Sequence, residues 1–239
     1  VSHVFAFHNF GSETYAGINP SFWSIAVEIQ LYLIYPLLLA LVRKVGWEKT
    51  LIATMVLELF IRGTMMVSDI SSVLILPQVI TASPLTYWFS WALGAYVCDC
   101  HKSSRASVIN KINFSWVVVL SFLSAYCRPL TQFTFTLVAV STAIFLNNQL
   151  EKKSNMPKGM LVKALEEHFS LLGLFSYGFY LFHQPLVAQS YSLMGFLFPQ
   201  NFIPSFLMFW IMLLWYPLIL ISSSFMFKFV EKPMSQLGC

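Results

Sequence analysis

An all-α, polytopic bundle of transmembrane helices, a single domain over residues 1–239, is the fold class this chain predicts. Three observations carry it. The chain is 57% apolar and only 10% charged, against about a quarter charged in soluble domains. So few charges cannot cover a water-facing globule of this size. The apolar residues fall in long continuous runs, with a mean hydropathy of +0.70, not in the short alternating strands of a membrane β-barrel. The lysines and arginines gather in alternate connections between those runs. The composition excludes a disordered chain, a collagen, a disulfide scaffold and most soluble enzymes. The net charge of +4 gives no reason to expect a nucleic-acid partner, because membrane proteins collect cations on their inner loops.

A span needs about 20 mainly apolar residues. Seven stretches qualify: 22–42, 50–67, 84–99, 113–127, 130–146, 170–192 and 203–229. Between the second and third, Val73 to Leu76 is apolar but too short to cross. Arg128 and Pro129 read as a tight hairpin between the fourth and fifth. Pro157 to His168 reads as a short amphipathic helix, either on the inner membrane surface or a plain connecting helix, with Lys163 and Glu167 as an i,i+4 pair.

The cations test the count. Arg43, Lys44 and Lys49 follow the first span, and Lys102, Arg105 and Lys111 follow the third. Lys152, Lys153, Lys158 and Lys163 follow the fifth, and Lys228 and Lys232 close the seventh. Arg62 and Arg128 fall on the opposite side. Twelve of the 14 Lys and Arg therefore share one side. Cytoplasmic loops carry that excess, so the N-terminus is expected outside and the C-terminus inside. No basic n-region precedes Val1, so no signal peptide is read, and the start is expected to be that of a fragment or processed product.

Polar residues inside spans are functional candidates. The first span carries Ser24, Glu28, Tyr32 and Tyr35, spaced to share one helical face. The sixth carries Ser176, Tyr180 and His183 in the same manner. At about 1.5 Å rise per residue, Glu28 and His183 each lie ~10 Å below the outer surface, level with one another. Both could instead be structural polar groups of a bundle, and the tyrosines could be packing or interfacial residues. Glu58 shows no stripe, and Asp99 is expected to be solvated at a helix end. Pro36 and Pro185 remove backbone donors and free the carbonyls of Tyr32 and Leu181. Cys98, Cys100 and His101 lack the further ligands zinc requires, so no metal is expected.

Three phrases are more specific. They are Asn19-Pro-Ser-Phe-Trp-Ser-Ile-Ala-Val-Glu-Ile-Gln-Leu-Tyr-Leu-Ile-Tyr-Pro36, Leu172-Gly-Leu-Phe-Ser-Tyr-Gly-Phe-Tyr-Leu-Phe-His-Gln-Pro-Leu186 and Phe227-Lys-Phe-Val-Glu-Lys-Pro233. In this order they resemble the acyltransferase-3 family of integral membrane acyltransferases. The segment Tyr87 to Ala95, with Trp91 and Gly94, is similar to a further span of that family. The resemblance implies transfer of an acyl group, often acetyl, from a cytoplasmic donor such as acyl-CoA to a carbohydrate hydroxyl. Acyl-CoA would be a co-substrate, with no bound cofactor. The expected partners are the lipid bilayer, a carbohydrate acceptor and the acyl donor, and the expected location is a bacterial cytoplasmic (inner) membrane.

Such chemistry needs a base for the hydroxyl proton and donors for the developing oxyanion. Glu28 and His183 are the expected catalytic pair, the carboxylate orienting an imidazole. Trp23, Ser24, Tyr32, Ser176 and Tyr180 are expected to bind substrate. Pro185 is expected to be structural, and Glu231 is expected to pair with a basic residue and anchor the last helix. The family core has about ten spans, with its reactive histidine in the first helices. By that comparison the chain reads as lacking about three N-terminal spans, and neither His3 nor His8 takes that role. The rival readings are a multipass transporter, which midplane polar stripes and broken helices would also fit, and an inactive fragment of an acyltransferase.

Overall fold

The computed structural model describes residues 1–15, 17–151, 167, 169–170, 172–197 and 205–237. Its regular structure is helical, with no strand among the described residues. The chain divides into two compact units. One comprises residues 1–15 and 23–155, the other residues 16–22 and 156–239.

Among the described residues, five long helices build the first unit: α1 (Phe22–Val45, its first residue counted with the second unit), α2 (Trp47–Ser71), α3 (Trp88–Lys102), α4 (Phe114–Tyr126) and α5 (Thr131–Glu151). Gly46 separates α1 from α2 with φ +83°, a left-handed conformation that a Cβ would strain. The α4–α5 hairpin turns through Arg128–Leu130. The apolar pattern of α3 explains its central place. Phe89, Ala92, Leu93, Tyr96, Val97 and Cys100 are all buried, at the i, i+3, i+4 repeat of one helical face. They pack with Leu38 of α1, Leu51 of α2, Val117 of α4 and Ile144 of α5. The opposite character appears on α2, where Ile52, Val56 and Phe60 are exposed. A water-soluble helix would carry charge on that face; here it suits lipid.

The second unit contains α6 (Ser176–Leu197) and α7 (Ser205–Met226), which pack together. Gly178 permits a close approach: a Cβ there would sit 2.9 Å from the Ser223 Cα. After α7 the ladder widens into a π-helical turn, Phe227–Glu231, in which the Lys232 N–H bonds the Phe227 carbonyl. Pro233 follows in the last short helix, Lys232–Leu237, and its missing N–H cannot hold the tighter α register.

Four helical stretches are long and apolar enough to cross a membrane, among the described residues: Phe22–Val45, Trp47–Ser71, Arg128–Glu151 and Leu213–Met234. This is coarser than the seven spans read from sequence. The expected third span is broken into a 3-10 turn, Pro84–Tyr87, followed by α3. At 15 residues α3 is about 22 Å long, short of a core about 30 Å thick. The 13 residues of α4 span only about 20 Å. The sixth stretch has the length in α6, but Gln184, Gln189 and Ser190 dilute it. One assignment is corrected outright. Arg62, counted with the outer-side cations although it falls within the stretch read as 50–67, lies inside α2 and is buried. It therefore leaves the cation count on which the orientation rested. The surface helix expected at 157–168 lies outside the described residues except for Glu167.

Candidate functional site

A half-open cavity of the first unit holds about 330 Å³, at the low end of the size of ligand pockets. Trp23, Ser24 and Glu28 enter it from α1, Ser90 and Trp91 from α3, and Phe135 from α5, with Tyr87 just before α3. The local reason is simple. Positions 23, 24, 27, 28 and 31 share one face of α1, and Val27 and Leu31 are buried against Trp88. That packing turns the polar members of the same face toward the cavity. Trp23 stacks on Tyr15 with ring centroids 5.8 Å apart, and Tyr87 meets the Phe135 edge at 5.0 Å. The walls are therefore aromatic, with a carboxylate and hydroxyls between the rings.

Glu28 is exposed, and Oε1 accepts a hydrogen bond from the Tyr32 hydroxyl at 3.0 Å. Tyr32 and Tyr35 then line a second hollow of about 510 Å³, whose wall shares Ser90 and Trp91 with the first. Both tyrosines set their rings edge-on to Trp91, at 5.9 and 5.4 Å. The stripe Ser24, Glu28, Tyr32 and Tyr35 is thus one continuous lining over two adjoining hollows.

Beneath this wall lies a charged group that sequence reading passed over. Glu58 is completely buried. Its Oε1 accepts from Arg62 Nε at 3.1 Å, from the Ser90 hydroxyl at 2.8 Å and from the Thr136 hydroxyl at 2.6 Å, and its Oε2 accepts from the Ser90 backbone N–H at 3.0 Å. Arg62 in turn donates to the Gln132 carbonyl at 2.8 Å and the Thr86 carbonyl at 2.9 Å. Its guanidinium stands 5.3 Å from the Tyr87 ring centroid and 5.1 Å from that of Phe135. A buried charge is tolerable only when paired and hydrogen-bonded, and this pair is. The signal was present in the sequence as an oppositely charged i,i+4 pair within one apolar run. The Asp99 side chain is likewise engaged, by Trp47 Nε1 at 2.8 Å and Arg105 at 3.0 Å.

Ser176, Tyr180 and His183 belong to the second unit. His183 Nδ1 lies 2.6 Å from the Tyr180 carbonyl. A carbonyl only accepts, so Nδ1 carries the hydrogen and the neutral ring keeps a lone pair on Nε2. Tyr180 donates its hydroxyl to the Ser21 carbonyl at 3.1 Å. Ser176 donates to the Gly173 carbonyl at 2.8 Å and lines an apolar hollow with Phe175, Phe179 and Tyr216. The three residues of this stripe thus have different occupations. The carbonyl that Pro185 frees, Leu181, is captured by Asn19 Nδ2 at 2.9 Å. Glu231 finds no cation among the described residues, and its buried Oε1 has no hydrogen-bond partner there. The basic partner expected for it is therefore not found among the described residues.

No group of three or more His, Cys, Asp or Glu gathers among the described residues in a way that could hold a metal ion. No family model, curated protein or solved structure matches the chain.

Proposed function

We propose that this chain is a membrane-bound O-acyltransferase that acylates a carbohydrate hydroxyl from a cytoplasmic thioester donor such as acyl-CoA. The observation that carries the reading is the cavity of the first unit. Flat aromatic faces of Trp23, Tyr87, Trp91 and Phe135 beside the Glu28 carboxylate and the Ser24 and Ser90 hydroxyls match the two needs of a sugar, whose C–H faces stack on rings and whose hydroxyls need hydrogen-bonding groups. The three sequence phrases that resemble the acyltransferase-3 family supply the reaction class. Glu28 lies within the first phrase of that resemblance and lines the cavity.

In this mechanism the acceptor hydroxyl lies against Glu28, which receives its hydrogen bond and raises its nucleophilicity. The oxygen attacks the thioester carbonyl, the C–S bond breaks, and the thiol leaves with a proton. The sequence resemblance names His183 as a second candidate base, and its Nε2 carries no hydrogen when the ring is neutral. The helices apolar enough to cross a bilayer fit a membrane protein, and the cation excess orients the chain with its C-terminus in the cytoplasm of a bacterial inner membrane.

The decisive experiment is acyl transfer from radiolabelled acetyl-CoA to carbohydrate in membranes carrying the chain, with Glu28→Gln and His183→Gln alongside. The reading expects transfer that Glu28→Gln lowers without lowering the amount of protein. Movement of an unmodified sugar across those membranes, with no acyl transfer, would favour a transporter instead.

A further inference from the structure

Ser90 occupies an unusual position between the two parts of the first unit just described. It lines both hollows, yet both of its hydrogens are committed to the buried carboxylate behind it. The backbone N–H goes to Glu58 Oε2 at 3.0 Å and the hydroxyl hydrogen to Oε1 at 2.8 Å. A carboxylate opposite a guanidinium has no hydrogen to give, so the direction of both bonds is fixed. Arg62 holds the carboxylate in turn, anchored to two backbone carbonyls on other segments. The hydroxyl that meets the cavity therefore has lone pairs to offer and no proton.

We infer that Glu58 and Arg62 are positioning residues that set the polarity of the cavity wall, so that Ser90 recognises a hydrogen-bond donor on the ligand and discriminates against an acceptor at the same place. This deepens the carbohydrate reading and rests on it: the donor is one particular sugar hydroxyl, which gives its hydrogen to Ser90 Oγ. A sugar with that hydroxyl etherified or replaced by fluorine keeps its shape but brings an acceptor against an acceptor. The buried pair thereby acts on specificity through Ser90 without touching substrate.

The test uses the full chain in lipid nanodiscs and equilibrium binding of methyl hexopyranosides of gluco, galacto, manno and 2-acetamido-2-deoxy-gluco configuration, each with its monodeoxyfluoro derivatives. For a glycoside that binds, fluorination at one ring position should weaken binding about 5- to 15-fold, the worth of one hydrogen bond. Ser90→Ala should weaken the parent glycoside by a similar factor and abolish the penalty for fluorine at that position alone. Glu58→Asp keeps a negative charge opposite Arg62 but withdraws it by one methylene from Ser90. The released hydroxyl can then donate, and the fluorine penalty should shrink to less than about 3-fold while the parent still binds. A purely structural role would move both probes together. If Glu58→Asp fails to accumulate, the Ser90→Ala comparison decides by itself. Binding that Ser90→Ala leaves unchanged, or a fluorine penalty that survives it, overturns this inference and leaves the carbohydrate reading standing. Absence of binding by every glycoside to the unsubstituted chain overturns both.

Discussion

Glu28 and Glu58 are the same chemical group on successive helices of one unit, and the fold uses them in opposite ways. Glu58 is sealed, with three donors on Oε1 and one on Oε2. Glu28 is exposed at a cavity and takes a single hydrogen bond among the described residues, from Tyr32. A sealed carboxylate has no capacity for a ligand, however central its place. One with spare lone pairs at the edge of an aromatic hollow has that capacity. Low solvent exposure, the usual flag for an important charge, thus marks the supporting group, and the group available for chemistry is the exposed one.

The largest effect expected from breaking this contrast comes from Arg62→Met. It leaves Glu58 buried without its cation, which typically costs about 3–5 kcal/mol, so the variant should fail to accumulate in membranes or should lose its thermal transition. Normal accumulation and melting would mean that Glu58 is not held by its partner.

Glu28→Gln should do the reverse. Its melting should match that of the unsubstituted protein, while acyl transfer falls by about 100-fold or more, in the range general-base groups contribute. Loss of stability in place of turnover would assign Glu28 to the frame.

The second unit offers a finer version of the same comparison, between a polar group that fills a structural need and one that does not. Asn19→Ala strands the Leu181 carbonyl and should cost about 1–3 kcal/mol, read as a lowered midpoint of thermal unfolding. In a Pro185→Ala background the helix regains an N–H for that carbonyl, so the same substitution should cost almost nothing. Equal costs in both backgrounds would disprove the capture. Gly178→Ala places a methyl 2.9 Å from the Ser223 Cα; overpacking of this kind costs about 1–3 kcal/mol, measurable in the same assay, and a rise in stability would show that the helices separate freely.

Tyr32→Phe should have the smallest effect. It removes one exposed hydrogen bond to Glu28 and should change transfer by no more than a few-fold, about the worth of a single neutral bond. A collapse in rate comparable to that of Glu28→Gln would make Tyr32 a participant in the chemistry.

Helix positions were legible because apolar runs and their periodicity are local properties. The first stretch, read as 22–42, is Phe22–Val45, and the fourth, read as 113–127, is Phe114–Tyr126. The face shared by Ser24 and Glu28 was legible for the same reason, since 3.6-residue periodicity fixes which side chains lie together on a helix. Where reading failed, a long-range partner was responsible. Arg62 was counted with the connecting cations because a charge inside an apolar run is costly, and only Glu58 within its own turn, with the carbonyls of Thr86 and Gln132, makes its burial tolerable.

The sequence by itself determined that this chain is helical, that its helices are too apolar for water, that two polar stripes run along them, and that Pro36, Pro185 and Pro217 fall inside them. Tertiary structure alone decided which carboxylate would be sealed, which serine would commit both its hydrogens to it, and that Asn19, 162 residues away, would answer the carbonyl freed by Pro185. The physical reason is that periodicity assigns a residue to a face, while burial and hydrogen bonding depend on which other face it meets.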